Sequence, residues 1–543
     1  MAQVHGGKIV AKALKRHGTT HLFTLCGGHI QAIYDGCIDE GIRVVDVRHE
    51  QTAGHAADGY ARVTGRPGVC AVTAGPGVTD VVTAAANAQR AGIPLIIIGG
   101  AGPRALADMG SLQDMNHVEL MRSITKWSVS VPSTDRLQEY IDSAFRIAQA
   151  NVPGPVFLEM PLDLLMNWAD DAEPATARNA AERPPRPAGD PASIGRAAEW
   201  LKKSERPMFI VGSQLRWSPR MDAVRKVADA IEAPFYLNGM ARGALPYEHK
   251  NLMTRSRKVA LAQTDLCLVF GTPLDFRLEY GRAIPASAKV IQVDLDGAEI
   301  GRNRNIDLAI DGDSGLVLEQ LLAEVGAKAL PDWLASIRAA EDKSRAKMLA
   351  EVESDANPPN PLRVCAELGK RLGKSDIVIG DGGDFVATAA YVLKLEWPQL
   401  WMDPGPLGTL GVGPGYAMAA KLLRPDANVV LVYGDGSFGF NGLEFEAMVR
   451  QNIPVVSVIG NDAAWTQIRR GQVDLYGAER AVATSLAHTR YDKVVEAVGG
   501  FGAYVETVEQ LGPALDAAFA SGKPACVNVK IAGSDFRKGA ISV

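Results

Sequence analysis

Short apolar runs recur along the chain, each separated from the next by a stretch with helical spacing. IRVVDV, VCAVTA, PLIIIGG and PVFLEM come first, then PMFIVG, LCLVFG and VIQVDL, and finally IVIGDGG, VVLVYGDG, PVVSVIGND and ACVNVKI. Runs without polar alternation are strands buried on both faces, and the helices between them supply the crossovers of parallel sheets. Two stretches break the rhythm: the Ala-, Pro- and Arg-rich segment from Asp170 to Pro191, and the Pro- and Asn-dense SDANPPNPL from Ser354 to Leu362. Cutting there gives an α/β fold of three doubly wound parallel-sheet domains, residues 1–168, 190–330 and 355–543. That count agrees with the length of 543 residues, since one core serves roughly 100–200 residues.

The opening MAQVHGGKIVAKALKRHG sets basic residues among apolar ones at helical spacing and reads as a first surface helix rather than a signal peptide. No apolar run approaches the roughly 20 residues that span a bilayer. A net charge of -5 and the lack of a Lys/Arg cluster exclude a phosphate-neutralising nucleic-acid face. The six cysteines have no C-x-x-C spacing, which points to neither structural zinc nor a disulfide framework and suits a cytoplasmic, reducing setting.

The candidate chemistry begins at VVLVYGDGSFGFNGLEFEAMVRQNIPVVSVIGND. A strand over Val429–Tyr433 is followed by Gly434-Asp435-Gly436-Ser437 as a tight turn. Asn441 and Glu444 then have the spacing of a capping box, and a second strand runs from Val455 to Gly460, just before Asn461-Asp462. A strand–helix–strand crossover brings both strand ends to one sheet edge, about 4.8 Å apart. Two carboxylates, Asp435 and Asp462, therefore meet at the edge where open α/β sheets bind ligands. A divalent cation with Mg²⁺-like taste for oxygen would relieve their repulsion, and the turn amides would meet phosphates. The expectation is a metal-bound diphosphate site.

A Gly-Asp-Gly followed at this distance by Asn-Asp resembles the signature of thiamine diphosphate enzymes of the acetolactate synthase and pyruvate decarboxylase type. The resemblance covers essentially the whole chain, with pyrimidine-binding, central and diphosphate-binding domains in the family order. It implies Mg²⁺ ligation by Asp435, Asp462 (Asn in the family) and the carbonyl of Ala464, with Gly434, Gly436, Ser437 and Trp465 near the cofactor. VVDVRHEQTAGHAADGYAR implies that Glu50 meets the aminopyrimidine ring nitrogen, and TAGPG makes Thr73 and Pro76 ring contacts. DPGPLGTLGVGPGYAMAA implies that the Gly408 carbonyl meets the amino group and that Leu410 is the wedge under the bent cofactor. In the family each site lies between two chains, so a homodimer or homotetramer is expected.

The resemblance also narrows the reaction. LCGGHIQ carries His29 in a G-x-H like that of benzaldehyde lyase and 2-hydroxyacyl-CoA lyase, where it is thought to move the proton of a substrate hydroxyl, and Gln113 matches a residue of the same pocket. NDAAWTQIRR and the closing SDFRKGAISV are similar to the acetolactate synthase-like branch that includes those lyases, and Arg537 and Lys538 would meet CoA phosphates unless the tail is merely solvated. VIQVDLDGAEIGRN lies where relatives hold FAD or ADP, or marks a degenerate site that binds nothing. The expected activity is thus a 2-hydroxyacyl-CoA lyase working on a small-molecule substrate. The alternative is an acetolactate synthase or benzaldehyde lyase-like carboligase. A scaffold without activity would have lost Glu50 or a metal ligand, and neither is missing.

Overall fold

The computed structural model describes residues 3–171, 184–397, 400–534 and 536–537. Each apolar run named above is a strand, and three sheets are parallel throughout. The first sheet has the order Arg43–Asp46, His21–Thr24, Gly68–Val72, Leu95–Ala101, Pro155–Pro161, Trp127–Ser130. The third repeats this order with Leu400–Met402, Ile377–Asp381, Val429–Gly434, Val456–Asn461, Ala525–Lys530 and Phe501–Val505. The central sheet runs Phe235–Leu237, Pro207–Val211, Leu266–Phe270, Lys289–Asp294, Leu308–Asp311. In all three the second strand in sequence lies on one side of the first and the third strand on the other. That reversal opens a crevice at the strands' carboxyl ends, where ligands of doubly wound sheets bind. A two-stranded antiparallel pair, Gln3–His5 with Trp168–Asp170, ties the start of the first unit to its end.

The first and third sheets share one apolar core, with Phe23, Tyr60 and Val72 packed in the same cluster as Tyr416, Leu431 and Phe445. Helix Glu50–Thr64 and helix Gly413–Leu423 make that contact, and both are rich in Ala and Gly along the seam. The backbones come so close that a Cβ on Gly59 would stand 2.8 Å from Tyr416 Cα, and one on Gly415 would stand 2.8 Å from the Ala56 amide nitrogen. Gly59→Val is therefore expected to destabilise the fold by about 1–3 kcal/mol through overpacking, seen as a lower thermal midpoint.

A polar lock crosses the same seam. Arg62 donates to Asp58 at 2.6 Å and to the Asp403 carbonyl at 2.9 Å, while the buried Tyr416 hydroxyl donates to Asp58 at 2.9 Å. His55 lies in this seam, fully buried and edge-on to Tyr416 at 6.0 Å. Burial lowers its pKa to about 4, with Asp58 opposing and Arg62 adding to the shift. The unfolded chain takes up this proton first as pH falls from about 6.5, so stability drops until the folded pKa is reached. The loss is about 3 kcal/mol between pH 6.5 and 4. A pH series of melts on His55→Gln is expected to lack that component.

Two expectations are corrected here. The Gly-Asp-Gly stretch is no free turn: helix Asp435–Asn441 begins at once after Gly434. Asn441 ends that helix instead of capping the next, Glu444–Arg450, whose N-cap Leu443 makes no side-chain bond. Asn441 Nδ2 instead donates to the Gly411 carbonyl at 2.6 Å. The buried Glu444 carboxylate reaches the first domain and accepts the Arg48 amide on both oxygens, at 3.0 and 2.9 Å. Tertiary partners outbid the local capping geometry. Part of the first expected linker, and Lys538, lie outside the described residues.

Candidate active site

Strands Val429–Gly434 and Val456–Asn461 pair in parallel with Gly434 opposite Gly460, so Asp435 and Asp462 leave the same edge. Asp435 is 3% exposed, and its Oδ1 accepts the Gly436 amide at 2.9 Å while Oδ2 is buried without a partner. Burial, and then the neighbouring charge of Asp462, push its pKa up to about 7. Asp462 is raised too, chiefly by burial, and accepts from the Thr466 hydroxyl. A buried carboxylate oxygen without a donor, facing a second carboxylate, fits a cation. Among the described residues no three His, Cys, Asp or Glu side chains gather as a ligand set, so such a cation would need further oxygen donors from backbone, phosphate or water.

The backbone around this pair is shaped for close approach. A Cβ on Gly382 would stand 2.7 Å from the Gly434 nitrogen, and one on Gly436 would stand 2.4 Å from the Trp465 ring. The glycine turn after Ile377–Asp381 thus abuts the end of strand Val429–Gly434, where helix Asp435–Asn441 begins, across the third sheet's crevice. Ala463 is held at φ +55 and braced by Leu486, whose amide donates to the Ala463 carbonyl at 2.7 Å. This left-handed residue turns the chain just before Ala464.

The loop with Gly408 and Leu410 lies in the same cavity, of about 1240 Å³, lined also by Asp435, Gly436, Asp462 and Trp465. Leu410 is half-buried and belongs to no core cluster. Three side chains pin the loop. Gln51 donates to the Leu410 carbonyl at 3.3 Å, Asn441 to that of Gly411, and Asp381 accepts the amides of Gly411 and Gly413 at 3.0 and 2.7 Å. Asp381 is fully buried, which lifts its pKa to about 6 against those two bonds. Asp381, Gln51 and the Gly382-Gly383 turn were missed in the sequence. The signal was there, since IVIGDGG carries a second Gly-Asp-Gly at a strand end.

His29, Thr73, Pro76 and Gln113 collect at the first sheet's crevice, between the strands ending at Thr24 and Val72, while Glu50 follows the edge strand Arg43–Asp46. His29 Nδ1 lies 3.0 Å from Thr73 Oγ1, which donates to Gln113 Oε1 at 3.5 Å. Burial lowers the His29 pKa, which favours the neutral ring. Pro76 starts helix Pro76–Ala91, and the Gly75 amide before it donates to His117 Nε2 at 2.8 Å. Glu50 is the first residue of its helix and 7% exposed, and burial raises its pKa. None of Glu50, His29, Thr73, Pro76 or Gln113 lines the cavity that holds Asp435 and Asp462.

Three family models match in the order of the sheets. The N-terminal TPP binding domain of thiamine pyrophosphate enzymes covers residues 4–120, the central domain 194–321 and the C-terminal TPP binding domain 381–529. The chain belongs to the thiamine pyrophosphate enzyme family. Among its relatives is the acetolactate synthase large subunit IlvG of Mycobacterium tuberculosis, 39% identical over 97% of this chain and 95% of the relative. The 2-hydroxyacyl-CoA lyase 2 of Homo sapiens is 38% identical over 99% of this chain and 92% of its own length. That of Danio rerio is 37% identical over 99% and 93%. As a thiamine diphosphate enzyme the chain binds its cofactor with the first and third domains, whose sheets are the two topological copies. Among the described residues no helix is long and apolar enough to cross a membrane.

Proposed function

We propose that Mg²⁺, held by Asp435, Asp462 and the Ala464 carbonyl, anchors the cofactor diphosphate, and that Glu50, Thr73 and Pro76 of a second copy receive its pyrimidine ring. Glu50, Thr73 and Pro76 lie outside the cavity of the acidic pair on one chain, and that carries this reading of two half-sites, in which a dimer, or a tetramer of such pairs, is the active form. The orphaned Asp435 oxygen and the glycine contacts at Gly382 and Gly436 support the diphosphate placement. Bound there, thiamine diphosphate supplies an electron sink for the carbanion left when a bond beside a carbonyl breaks.

The chain's own residues then have distinct tasks. Glu50, buried and with a raised pKa, shares a proton with the ring nitrogen in a low-dielectric pocket. Gln51, Asn441 and Asp381 fix the loop carbonyls and amides around Leu410. His29, whose pKa burial lowers and which Thr73 orients, takes the hydroxyl proton of a 2-hydroxy substrate as its C–C bond opens, with Gln113 beside it. We assign the reaction as cleavage of a 2-hydroxyacyl-CoA to an aldehyde or ketone plus formyl-CoA, reversible as a condensation.

The mycobacterial relative's name favours a second reading, acetolactate synthase. The central crevice supports a nucleotide such as FAD or ADP in either case: Asp294 Oδ2 is buried without a partner beside Gln214, which donates to Oδ1 at 2.7 Å. The six unpaired cysteines fit a reducing cytoplasm. Formyl-CoA release from a 2-hydroxyacyl-CoA supports the lyase. CO₂ release from pyruvate by yellow, flavin-bearing protein, with no formyl-CoA, overturns it in favour of the synthase.

A further inference from the structure

Behind the turn that carries Thr73 and Pro76 lies a fully buried histidine, His117. Its Nε2 accepts the Gly75 amide at 2.8 Å, and its Nδ1 lies 2.8 Å from Glu159 Oε2. A backbone amide can only donate, so Nε2 carries the lone pair. The ring proton therefore sits on Nδ1 and is donated to the Glu159 carboxylate. Glu159 belongs to strand Pro155–Pro161, which is paired on both sides, with Gly99 and Ser130 opposite this residue. The pair thus runs from the interior of the first sheet to the turn.

The turn is in close contact with the segment that carries Gln113. Gly75 has φ +58 and ψ -110, and a Cβ there would stand 2.8 Å from the Gln113 carbonyl oxygen. Residues 111–116 form neither helix nor strand and are mostly exposed, and Gln113 is held at φ +62. A left-handed glutamine in such a stretch persists only where its neighbours fix it. The Thr73–Gln113 bond is long at 3.5 Å, whereas the buried bond from Gly75 to His117 is 2.8 Å. His117 follows directly on this segment and opens helix His117–Arg122, so its ring bolts the segment to the turn. The same segment reaches His29: burial lowers the His29 pKa, the Leu112 carbonyl opposes that, and His117 adds to it.

We propose that His117, oriented by Glu159, is a positioning residue: through the Gly75 amide it holds the Thr73–Pro76 turn against Gln113 and so fixes where His29 meets the substrate. That role rests on the reading that places His29 and Gln113 at the substrate. A ring buried for packing alone would tolerate an apolar side chain of its size, whereas a ring that works through Nε2 tolerates only another acceptor. His117→Leu keeps the bulk and leaves the Gly75 amide buried and unpaired. His117→Gln offers an amide oxygen about where Nε2 stood. Glu159→Gln keeps the shape, but an amide can donate as well as accept and no longer forces the ring proton onto Nδ1.

The test is steady-state turnover of the full-length protein at saturating Mg²⁺ and thiamine diphosphate, with a 2-hydroxyacyl-CoA and with pyruvate as substrates. In His117→Leu kcat/KM should fall about ten- to hundredfold, as for a displacement on the order of 1 Å, and most of it should return in His117→Gln. Glu159→Gln should lose about tenfold, as when a partner that orients a histidine is removed. Hydrogen exchange read by mass spectrometry follows the bond itself without turnover. The peptide covering residues 72–79 should exchange faster in His117→Leu and near the wild-type rate in His117→Gln. Wild-type turnover in His117→Leu, or an equal loss in His117→Gln, overturns the role. If His117→Leu does not fold, wild-type kcat/KM in Glu159→Gln overturns it. His29→Ala separates this role from the reading beneath it. An impaired His29→Ala beside an unimpaired His117→Leu removes the role alone, and an unimpaired His29→Ala removes both.

Discussion

Glu50→Gln is expected to fold, keep Mg²⁺ and thiamine diphosphate, and lose turnover by about 10²- to 10⁴-fold, the range for a positioned acid–base group. Glu50 opens its helix after His49, whose ring accepts the Gln51 amide, and the Arg48 amide before it is held by Glu444. Neither contact uses the Glu50 carboxyl, so the isosteric amide leaves the local fold intact. What it removes is the titratable proton, and in a pocket that already raises the carboxyl pKa no solvent group replaces it. Steady-state kinetics with cofactor titration separates the outcomes. A lower kcat with little change in cofactor affinity is expected, and wild-type turnover removes Glu50 from the chemistry.

Asp435→Asn is expected to act on binding instead. The amide keeps an oxygen but loses the charge, and affinity for Mg²⁺ with thiamine diphosphate should fall by more than about tenfold. In chelator-stripped wild-type protein, adding both at a hundredfold excess over Kd should stabilise the fold by about 2.7 kcal/mol. The variant should show little of that gain at the same concentrations. Without ligands it should melt no lower than wild type, because it no longer sets a buried charge beside Asp462. A variant that gains as much as wild type would mean that Asp435 is not a ligand.

The interior of each sheet was legible in the sequence, and most of its edges were not. The missed strands Trp127–Ser130, Phe235–Leu237, Leu308–Asp311, Leu400–Met402 and Phe501–Val505 all border a sheet. An edge strand has one neighbour and sheds some burial, so its residues lose the unbroken apolar run by which central strands are found. His21–Thr24 is internal but short, with polar residues at both ends. The acidic pair was readable because two parallel strand ends must share an edge. The capping box was misread because Glu444 and Asn441 serve partners some 396 and 30 residues away, which local spacing does not encode.

The most direct test is complementation between the two variants above. Glu50→Gln and Asp435→Asn chains, differently tagged and co-expressed, should form mixed dimers in which one site pairs an intact Glu50 from one chain with an intact Asp435 from the other. Activity should return to about a quarter of wild type in an unsorted mixture, from two homodimers that are each nearly inactive. If doubly tagged dimers are recovered and remain as inactive as their parents, the half-sites do not meet across two chains and the account is wrong.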